Sequence, residues 1–342
     1  MSTAPKLALP EIRGPIADLP QELYLEVTNR CNLLCTTCPR THMEVEPPAD
    51  LSLERLIAIT AQLPVIRRAL LHGIGEPLMH RELPAIISHL VGRGAWVVFN
   101  TNGTLLDQRR GDAVTEAGLC ELRVSFDAAT PETFLKVRGA NALPKILRNV
   151  EAFTSRRLAR GEDQPLVSIW ATCLRENLEE MPALVRIAAE VGVRRVNLQR
   201  LVYNGIGLAV AEQSVYRDLE DRQLEILSEC RAVADEVGVE LIGSGGSSGE
   251  GAVGGGQEVE EQAWRGCRRP WKVLYLTANG NVLPCCMAPF ATTDFPAITL
   301  GNVERDGVAE TWNGPTLQSF RTRHQSDNPP VPCAPCGSAW SL

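Results

Sequence analysis

The sequence lacks the long apolar runs, the basic clusters and the secretion signal that would point to a membrane, a nucleic acid or the cell exterior. No apolar run approaches about 18 residues, which excludes a membrane-spanning helix. No long Lys/Arg cluster stands out and the formal net charge is −7, so we expect no nucleic-acid partner. Residues 1–20 lack the apolar core of a signal peptide, so we expect a cytoplasmic protein.

Cysteine, by contrast, is abundant, with 11 in 342 residues. In the reducing cytoplasm so many cysteines favour metal ligation or catalysis over disulfides. A front group consists of Cys31, Cys35 and Cys38, and a rear group of Cys267, Cys285, Cys286, Cys333 and Cys336. Three isolated cysteines lie within apolar patterns and are predicted to be buried core residues, namely Cys120, Cys173 and Cys230.

The front group has the spacing C-x3-C-x2-C. Three thiolates this close, on an irregular segment, can converge on one soft metal centre. A structural zinc site or an electron-transfer [4Fe–4S] cluster takes four protein ligands, so three ligands leave one position open. The alternatives are three free cysteines, or most of a zinc site completed from elsewhere.

Between residues 22 and 242, short β-rich runs alternate with helical patterns. The predicted strands span 22–27, 67–72, 95–100, 122–126, 166–171 and 195–201. The predicted helices span 51–63, 81–91, 107–117, 143–159, 178–191 and 215–237, and Asn177 with Glu180 is a candidate capping box for the fifth. This alternation predicts an α/β fold, a partial (β/α)6 TIM-like barrel with its chemistry at the C-terminal ends of the strands.

Composition and predicted elements divide the chain into four segments. Residues 1–21 form an N-terminal extension, 22–242 the barrel, 243–258 a flexible Gly/Ser-rich linker and 259–342 a small C-terminal domain. Within the last segment two β-like runs, 273–277 and 281–284, flank Asn279-Gly280, which predicts a hairpin.

The run from Cys31 to Arg40 resembles the cluster motif of radical S-adenosylmethionine (SAM) enzymes, although Thr37 stands where the family often has an aromatic residue. The resemblance implies that Cys31, Cys35 and Cys38 hold a [4Fe–4S] cluster whose open iron binds the amino and carboxylate groups of SAM. It also implies reductive cleavage of SAM to a 5′-deoxyadenosyl radical that abstracts hydrogen. No catalytic residue beyond the cluster is assigned.

Further motifs follow the next strands. Gly73-Ile74-Gly75-Glu76-Pro77 resembles the Gly-Gly-Glu element of the family, whose carbonyls accept hydrogen bonds from the SAM ammonium group; an ordinary tight turn is the alternative. Asn102 lies in the Asn-Thr-Asn-Gly sequence that the family often carries at the end of the third strand. Ser125 and Arg138 match positions that hold the SAM carboxylate and ribose in relatives. Asp127 is a possible helix cap.

The rear cysteines resemble the SPASM domain, in its shortened "twitch" form. The resemblance implies one auxiliary [4Fe–4S] cluster held by Cys267, Cys285, Cys333 and Cys336, with zinc as the alternative metal. Cys286 is predicted to pack rather than to bind metal.

The function implied is an oxidoreductase that removes hydrogen from a small-molecule or peptide substrate, while the auxiliary cluster accepts an electron. A reductant such as flavodoxin or ferredoxin would be a partner. About 21 residues precede the first strand, which mildly favours a small substrate or a peptide presented by a separate protein. The alternatives are a peptide maturase that forms a cross-link or an epimer, and a zinc-binding scaffold without enzymatic activity.

Overall fold

Nine strands of the computed structural model form one sheet in the order β7-β6-β5-β4-β3-β2-β1-β8-β9. The structure describes residues 13–215, 221–243 and 263–334. The strands are β1 Glu22–Leu25, β2 Arg68–Leu71, β3 Trp96–Thr101, β4 Glu121–Ser125, β5 Leu166–Cys173, β6 Arg195–Arg200, β7 Glu240–Gly243, β8 Val273–Leu276 and β9 Val282–Leu283. Neighbouring strands from β7 through β8 are parallel, and β9 is antiparallel to β8.

Helices occupy most of the connections. In the barrel they are α1 Pro39–His42, α2 Leu53–Thr60, α3 Leu83–Gly92, α4 Gln108–Glu116, α5 Pro131–Arg138, α6 Leu143–Ala159, α7 Met181–Glu190 and α8 Asp221–Val237. In the tail they are α9 Arg269–Lys272, α10 Ala288–Ala291, α11 Phe295–Ile298, α12 Val303–Asp306, α13 Val308–Trp312 and α14 Pro315–His324. No helix among the described residues is long and apolar enough to cross a bilayer.

Local sequence explains where several helices begin. The side chains of Ser52, Asp107 and Thr130 each accept a hydrogen bond from a backbone N–H in the first turn of α2, α4 and α5, respectively. The apolar faces of the helices pack on the outer face of the sheet in one large core, to which α7 contributes Leu184 and Val185. The partial barrel predicted from the sequence is confirmed, with a seventh strand, β7, that the sequence pattern did not reveal.

The predicted capping box at the start of α7 is wrong. The Asn177 side chain makes no cap; its Oδ1 accepts from Leu174 N at 2.8 Å, and its Nδ2 donates to Asp127 O at 2.7 Å. The Glu180 carboxylate instead accepts hydrogen bonds from Ala129 N and Thr130 N at 2.7 and 2.9 Å, at the start of α5. Glu180 therefore stabilises a helix about fifty residues earlier in the chain.

The predicted hairpin in the tail is present as β8 and β9, with Gly280 at φ 79° in the turn. Strand β8 also pairs with β1 in parallel, Tyr275 opposite Tyr24. The tail therefore continues the barrel sheet beside the strand that leads into the front cysteines. The predicted linker and most of the N-terminal extension lie outside the described residues.

Candidate active site

A cavity of about 510 Å³ opens inside the barrel, with the cysteine loop at one side and tail residues Cys286 and Met287 at another. Most of the site residues predicted from the sequence line this cavity: Cys31, Cys35, Cys38, Gly73, Gly75, Glu76, Asn102, Ser125 and Arg138. Pro77 lies behind the wall, buried at the start of a short 3-10 turn. The C-terminal ends of the strands thus bring separate motifs into one chamber, as expected for a parallel sheet.

The front cysteine loop is held in a fixed turn. Cys38 N donates to Cys35 O at 3.1 Å, and Thr36 N donates to Val137 O at 3.0 Å, which ties the loop to the end of α5. The three cysteines are partly exposed. Two side-chain donors face their sulfurs: Asn102 Nδ2 lies 3.9 Å from Cys31 Sγ, and Arg138 Nη1 lies 3.8 Å from Cys35 Sγ. Donors of this kind stabilise thiolates.

Burial affects the protonation of the front thiols. Burial raises the pKa of Cys31, and burial followed by the nearby Cys35 raises the pKa of Cys38 to about 12. These thiols therefore hold their protons until a metal centre displaces them. Within the described ranges no group of three or more His, Cys, Asp or Glu side chains converges tightly enough for one metal ion. A [4Fe–4S] cluster places its cysteines on different irons, so its ligands stand further apart than those of one ion.

The Gly-x-Gly-Glu loop after β2 approaches the first strand closely. A Cβ at Gly75 would overlap the carbonyl oxygen of Thr28 and lie 2.7 Å from its carbon. A Cβ at Gly73 would overlap the side chain of Glu26. Glu76 N donates to Arg30 O at 2.8 Å, so the loop is fixed one residue before Cys31. Glycine is required here for close approach of two backbones, and the resulting wall leaves room for a ligand.

The buried Glu76 carboxylate joins neighbouring loops through hydrogen bonds. Its carboxylate accepts from Thr101 Oγ1 at 2.7 Å, Asn102 N at 2.7 Å and Leu78 N at 3.1 Å, and burial raises its pKa. Asn102 in turn donates to Asn32 Oδ1 at 2.9 Å. Hydrogen bonds thus connect the loops after β1, β2 and β3. The Glu76 carboxylate thus holds the loop whose backbone carbonyls are predicted to accept hydrogen bonds from the SAM ammonium group.

Arg138 is positioned by Asp127. Arg138 Nε lies 2.6 Å from Asp127 Oδ2. Burial alone would lower the pKa of Arg138, but the nearby Asp127 and Cys35 raise it overall. Asp127 also accepts from Thr172 N at 2.8 Å, whereas Thr130 caps α5, so Asp127 is not the helix cap considered from the sequence. Gly139 ends α5 at φ 69°, and a Cβ there would overlap the carbonyl oxygen of Leu34 in the cysteine loop.

The inner face of the barrel carries polar residues that the sequence analysis passed over. Arg123 pairs with Glu121 at 2.8 Å and stacks on the Trp170 ring at 4.1 Å from its centroid. Arg68 also lines the cavity. Strands of a parallel barrel are usually apolar on both faces. Polar residues at every second position of β4 and β6 were the signal that marks these strands as cavity walls.

The rear cysteines only partly come together among the described residues. Burial, and then the nearby Cys285, raises the pKa of Cys267. Cys333 is partly buried at the edge of the main core, and Cys336 lies outside the described residues. Cys286 is 5% exposed and packs in a second core cluster with Tyr24 and Tyr275, as predicted. Cys120, Cys173 and Cys230 are buried, also as predicted.

Two family models match the chain. The radical SAM superfamily model matches residues 25–188, and the SPASM model, an iron–sulfur cluster-binding domain, matches residues 267–337. The matches cover the front cysteines with the loops around the cavity, and the rear cysteines of the tail. They support a SAM-binding [4Fe–4S] cluster and an auxiliary iron–sulfur site, and the zinc-scaffold alternative is set aside.

Relatives match nearly the whole chain. A PqqA peptide cyclase from Granulibacter bethesdensis is 27% identical over 93% of this chain and 79% of its own length. That of Gluconobacter oxydans is 28% identical over 93% of this chain and 82% of its own length. Among solved structures, Streptococcus suis SuiB bound to S-adenosylmethionine has a TM-score of 0.65 at 17% identity, covering 89% of this chain and 68% of SuiB. SuiB bound to its precursor peptide SuiA has a TM-score of 0.62 at 15% identity, covering 89% of this chain and 67% of that one. Sequence motifs, barrel and family models agree, and the chain belongs to the radical SAM superfamily and carries a SPASM-type iron–sulfur domain.

Proposed function

We propose that this radical SAM enzyme removes hydrogen from a peptide and so introduces a cross-link or another oxidative modification. The observation that carries the proposal is the single chamber, in which the front cysteines, the polar barrel interior and the tail residues next to Cys285 share one cavity. A substrate in that chamber lies between the two iron–sulfur sites. The relatives named PqqA peptide cyclase, which match 93% of the chain, favour a peptide over a small molecule.

The residues of the chain have distinct roles in this proposal. Cys31, Cys35 and Cys38 hold the front cluster, which when bound supplies the electron that cleaves SAM. The backbone at Gly73 and Gly75 faces the amino-acid end of SAM. Both glycines line the cavity, and a Cβ at either position would overlap Glu26 or Thr28.

On the opposite wall, Ser125 and Arg138 face the SAM carboxylate and ribose. Arg138 already pairs with Asp127, which fixes its guanidinium rather than consuming it, because a planar guanidinium has five N–H donors. Asn102 fixes the Cys31 side of the loop. Charge-assisted hydrogen bonds from an arginine suit a carboxylate ligand.

In the tail, Cys267, Cys285, Cys333 and Cys336 would hold an auxiliary cluster, which would supply an acceptor for the electron left after hydrogen removal. Arg269 lies near these sulfurs: burial opposes its charge, but Cys286 and Cys285 raise its pKa overall. A cation at this point offsets the negative charge of a thiolate-bound cluster. A small cytoplasmic electron carrier such as flavodoxin or ferredoxin would supply the first electron.

The direct experiment measures 5′-deoxyadenosine in the anaerobically reconstituted protein with SAM and dithionite. Short peptides encoded beside the gene for this chain are compared with small molecules made by neighbouring pathway enzymes. A peptide is expected to accelerate 5′-deoxyadenosine formation and to lose hydrogen atoms by mass spectrometry. Acceleration by a small molecule, with every peptide inert, would overturn the peptide assignment while leaving the radical chemistry intact.

A further inference from the structure

The inner wall of the cavity carries an excess of positive charge. Six arginines and three acidic residues are among the residues that line it. Arg138, at the end of α5, pairs with Asp127 at 2.6 Å and faces the cysteine loop, and Arg195 pairs with Glu240 at 2.7 Å. The excess therefore concentrates in the inner part of the barrel, where Arg68, Arg123 and Arg269 line the same cavity.

These three arginines line one cavity although they come from β2, β4 and α9. All three affect the pKa of the Tyr24 hydroxyl: burial and Cys286 raise it, while Arg269, Arg68 and Arg123 act to lower it. Two of them affect His72 as well. Burial lowers the pKa of His72, and Arg123 and Arg269 lower it further, to about 4. His72 is therefore neutral at pH 7 and adds no further charge to the wall.

Arg68 is the member of this wall whose charge is not balanced by a neighbour. Arg123 has Glu121 at 2.8 Å, and Arg269 lies beside the rear thiols. Among the residues that the structure describes, the Arg68 side chain forms no hydrogen bond or ion pair, and its Nε is buried without a partner. A desolvated guanidinium nitrogen without an acceptor is costly, so a ligand oxygen at this position would stabilise it.

A second unsatisfied donor faces the same chamber. Asn197 is 7% exposed, lines the cavity from β6, and its Nδ2 has no partner among the described residues. Asn100 lines the cavity from β3 with its Oδ1 also buried and unpartnered. Buried polar atoms are normally paired, and unpaired ones gathered around one cavity point to a polar ligand that the cavity receives.

We propose that the inner wall binds an anionic oxygen group of the substrate, with Arg68 supplying the unbalanced charge and Asn197 a neutral hydrogen-bond donor. This inference rests on the proposed function, since it selects among peptides those that present a carboxylate or a phosphate to the barrel interior. Arginine recognises both groups through two parallel hydrogen bonds, so the geometry names the shared chemistry. The two sources are separated by the test.

The test uses the reconstituted full chain and three probes, glutarate, inorganic phosphate and the neutral analogue glutaramide, titrated anaerobically by calorimetry. The wild-type chain is expected to bind an anion in preference to glutaramide. Arg68→Gln should weaken that binding by at least about 10-fold, the loss expected for a charge-assisted hydrogen bond. The neighbouring exposed Arg67 offers a matched control, because Arg67→Gln removes an equal charge from the outside of the sheet.

Two further variants, Asn197→Asp and Arg68→Lys, keep the proposal testable if Arg68→Gln does not fold. Asn197→Asp keeps the shape and adds a negative charge to the wall, so it should also weaken anion binding, and Arg68→Lys should restore part of it. A preference for glutarate assigns a carboxylate, and a preference for phosphate a phosphorylated substrate. The proposal is overturned if the wild-type chain does not prefer an anion, or if Arg68→Gln and Arg67→Gln bind it equally.

The proposed function is tested separately in the same preparations. Formation of 5′-deoxyadenosine by the wild-type chain does not enter the calorimetric result. A chain that binds the anion but forms no 5′-deoxyadenosine would contradict the radical chemistry and support the inner wall. A chain that forms 5′-deoxyadenosine but shows no preference for an anion would support the radical chemistry and contradict the proposed anion site.

Discussion

Glu26 shows at the scale of one residue how the barrel, the Gly73–Pro77 loop and the tail depend on each other. Its carboxylate is 3% exposed and accepts from Ile74 N at 2.8 Å and from Ala278 N at 3.4 Å. Burial raises the pKa of Glu26 to about 7 and Glu46 adds to the shift, although both backbone hydrogen bonds oppose it. One titratable group therefore lies where the Gly73–Pro77 loop meets the tail hairpin.

This carboxyl should make stability depend on pH in a defined direction. The folded-state pKa, about 7, is higher than the unfolded value of 4.5, so the folded chain binds the proton more tightly. Its contribution is fully present below 4.5 and is lost as pH rises through about 7. Glu26→Gln should therefore gain stability relative to the wild type over that window, by at most about 3 kcal/mol.

Urea unfolding of the wild type and of Glu26→Gln, from about pH 4.5 to about pH 8, measures the difference directly. Using the difference between the two proteins removes the contribution of other titrating groups, such as His72. Glu46→Gln is the control, because it changes a charge nearby without removing the buried carboxyl. A difference that stays constant with pH would contradict the raised pKa.

At the scale of elements, helix α5 carries Arg138 toward the cysteine loop, and its own start is held by a residue from another unit. The Glu180 carboxylate accepts from Thr130 Oγ1 at 2.7 Å as well as from two backbone N–H groups, Ala129 and Thr130. Burial acts to raise the pKa of Glu180, but a hydrogen bond from Thr133 Oγ1, together with those from Thr130 and Ala129, lowers it overall. The fourth and fifth β–α units are thereby coupled at the edge of the cavity.

Glu180→Ala should destabilise the chain by about 1–2 kcal/mol, since two backbone donors at the start of α5 lose their acceptor. Because α5 supports the cysteine loop, the iron bound by the front site should fall as well. Urea unfolding and iron analysis after reconstitution measure the two effects. Glu179→Ala is the matched control, since Glu179 is exposed and pairs with Arg222 on the surface. Equal loss in both variants would contradict the capping role.

Much of the arrangement of helices and strands could be predicted from sequence periodicity. Helix α6 is found at Leu143–Ala159, the bounds predicted, because its apolar spacing and its Pro144 at the first turn are local signals. The assignment of Glu180 failed because a capping box and a long-range cap share the same local sequence. The inner arginine wall was missed for another reason. Arg68 and Arg123 lie in strands whose apolar alternate residues dominate the pattern, and convergence across β2, β4 and the tail is a property of the fold.

At the scale of the whole molecule, the tail is anchored to the N-terminal segment through Arg321 on α14. Arg321 is fully buried; its Nε donates to Pro270 O at 2.8 Å and its Nη1 to Pro15 O at 2.9 Å. Its guanidinium also lies over the Trp312 ring, 4.5 Å from the centroid. Burial lowers its pKa to about 10, which leaves it charged at pH 7. The anchor joins α14 to the N-terminal segment and to Pro270, three residues after Cys267.

Arg321→Leu should therefore cost about 3 kcal/mol of unfolding free energy, because it removes a buried guanidinium together with its hydrogen bonds to the buried Pro270 O and to Pro15 O. The auxiliary site should lose iron before the front site does. Arg323, two residues further along α14 and exposed, provides the control. Arg323→Leu should change neither the unfolding free energy nor the iron content. Urea unfolding with iron and sulfide analysis makes the comparison. Unchanged stability in Arg321→Leu would contradict the anchoring role.

The central claim is that the three front cysteines hold the cluster that cleaves SAM, while the rear cysteines hold a separate one. The decisive measurement is 5′-deoxyadenosine formation, under dithionite reduction, by the variant in which Cys31, Cys35 and Cys38 are all replaced by Ala. Iron is counted in the same samples, with about eight atoms expected in the wild type for two [4Fe–4S] clusters. The account predicts that the variant forms no 5′-deoxyadenosine and keeps about half of the iron; 5′-deoxyadenosine that persists without these thiols would contradict it.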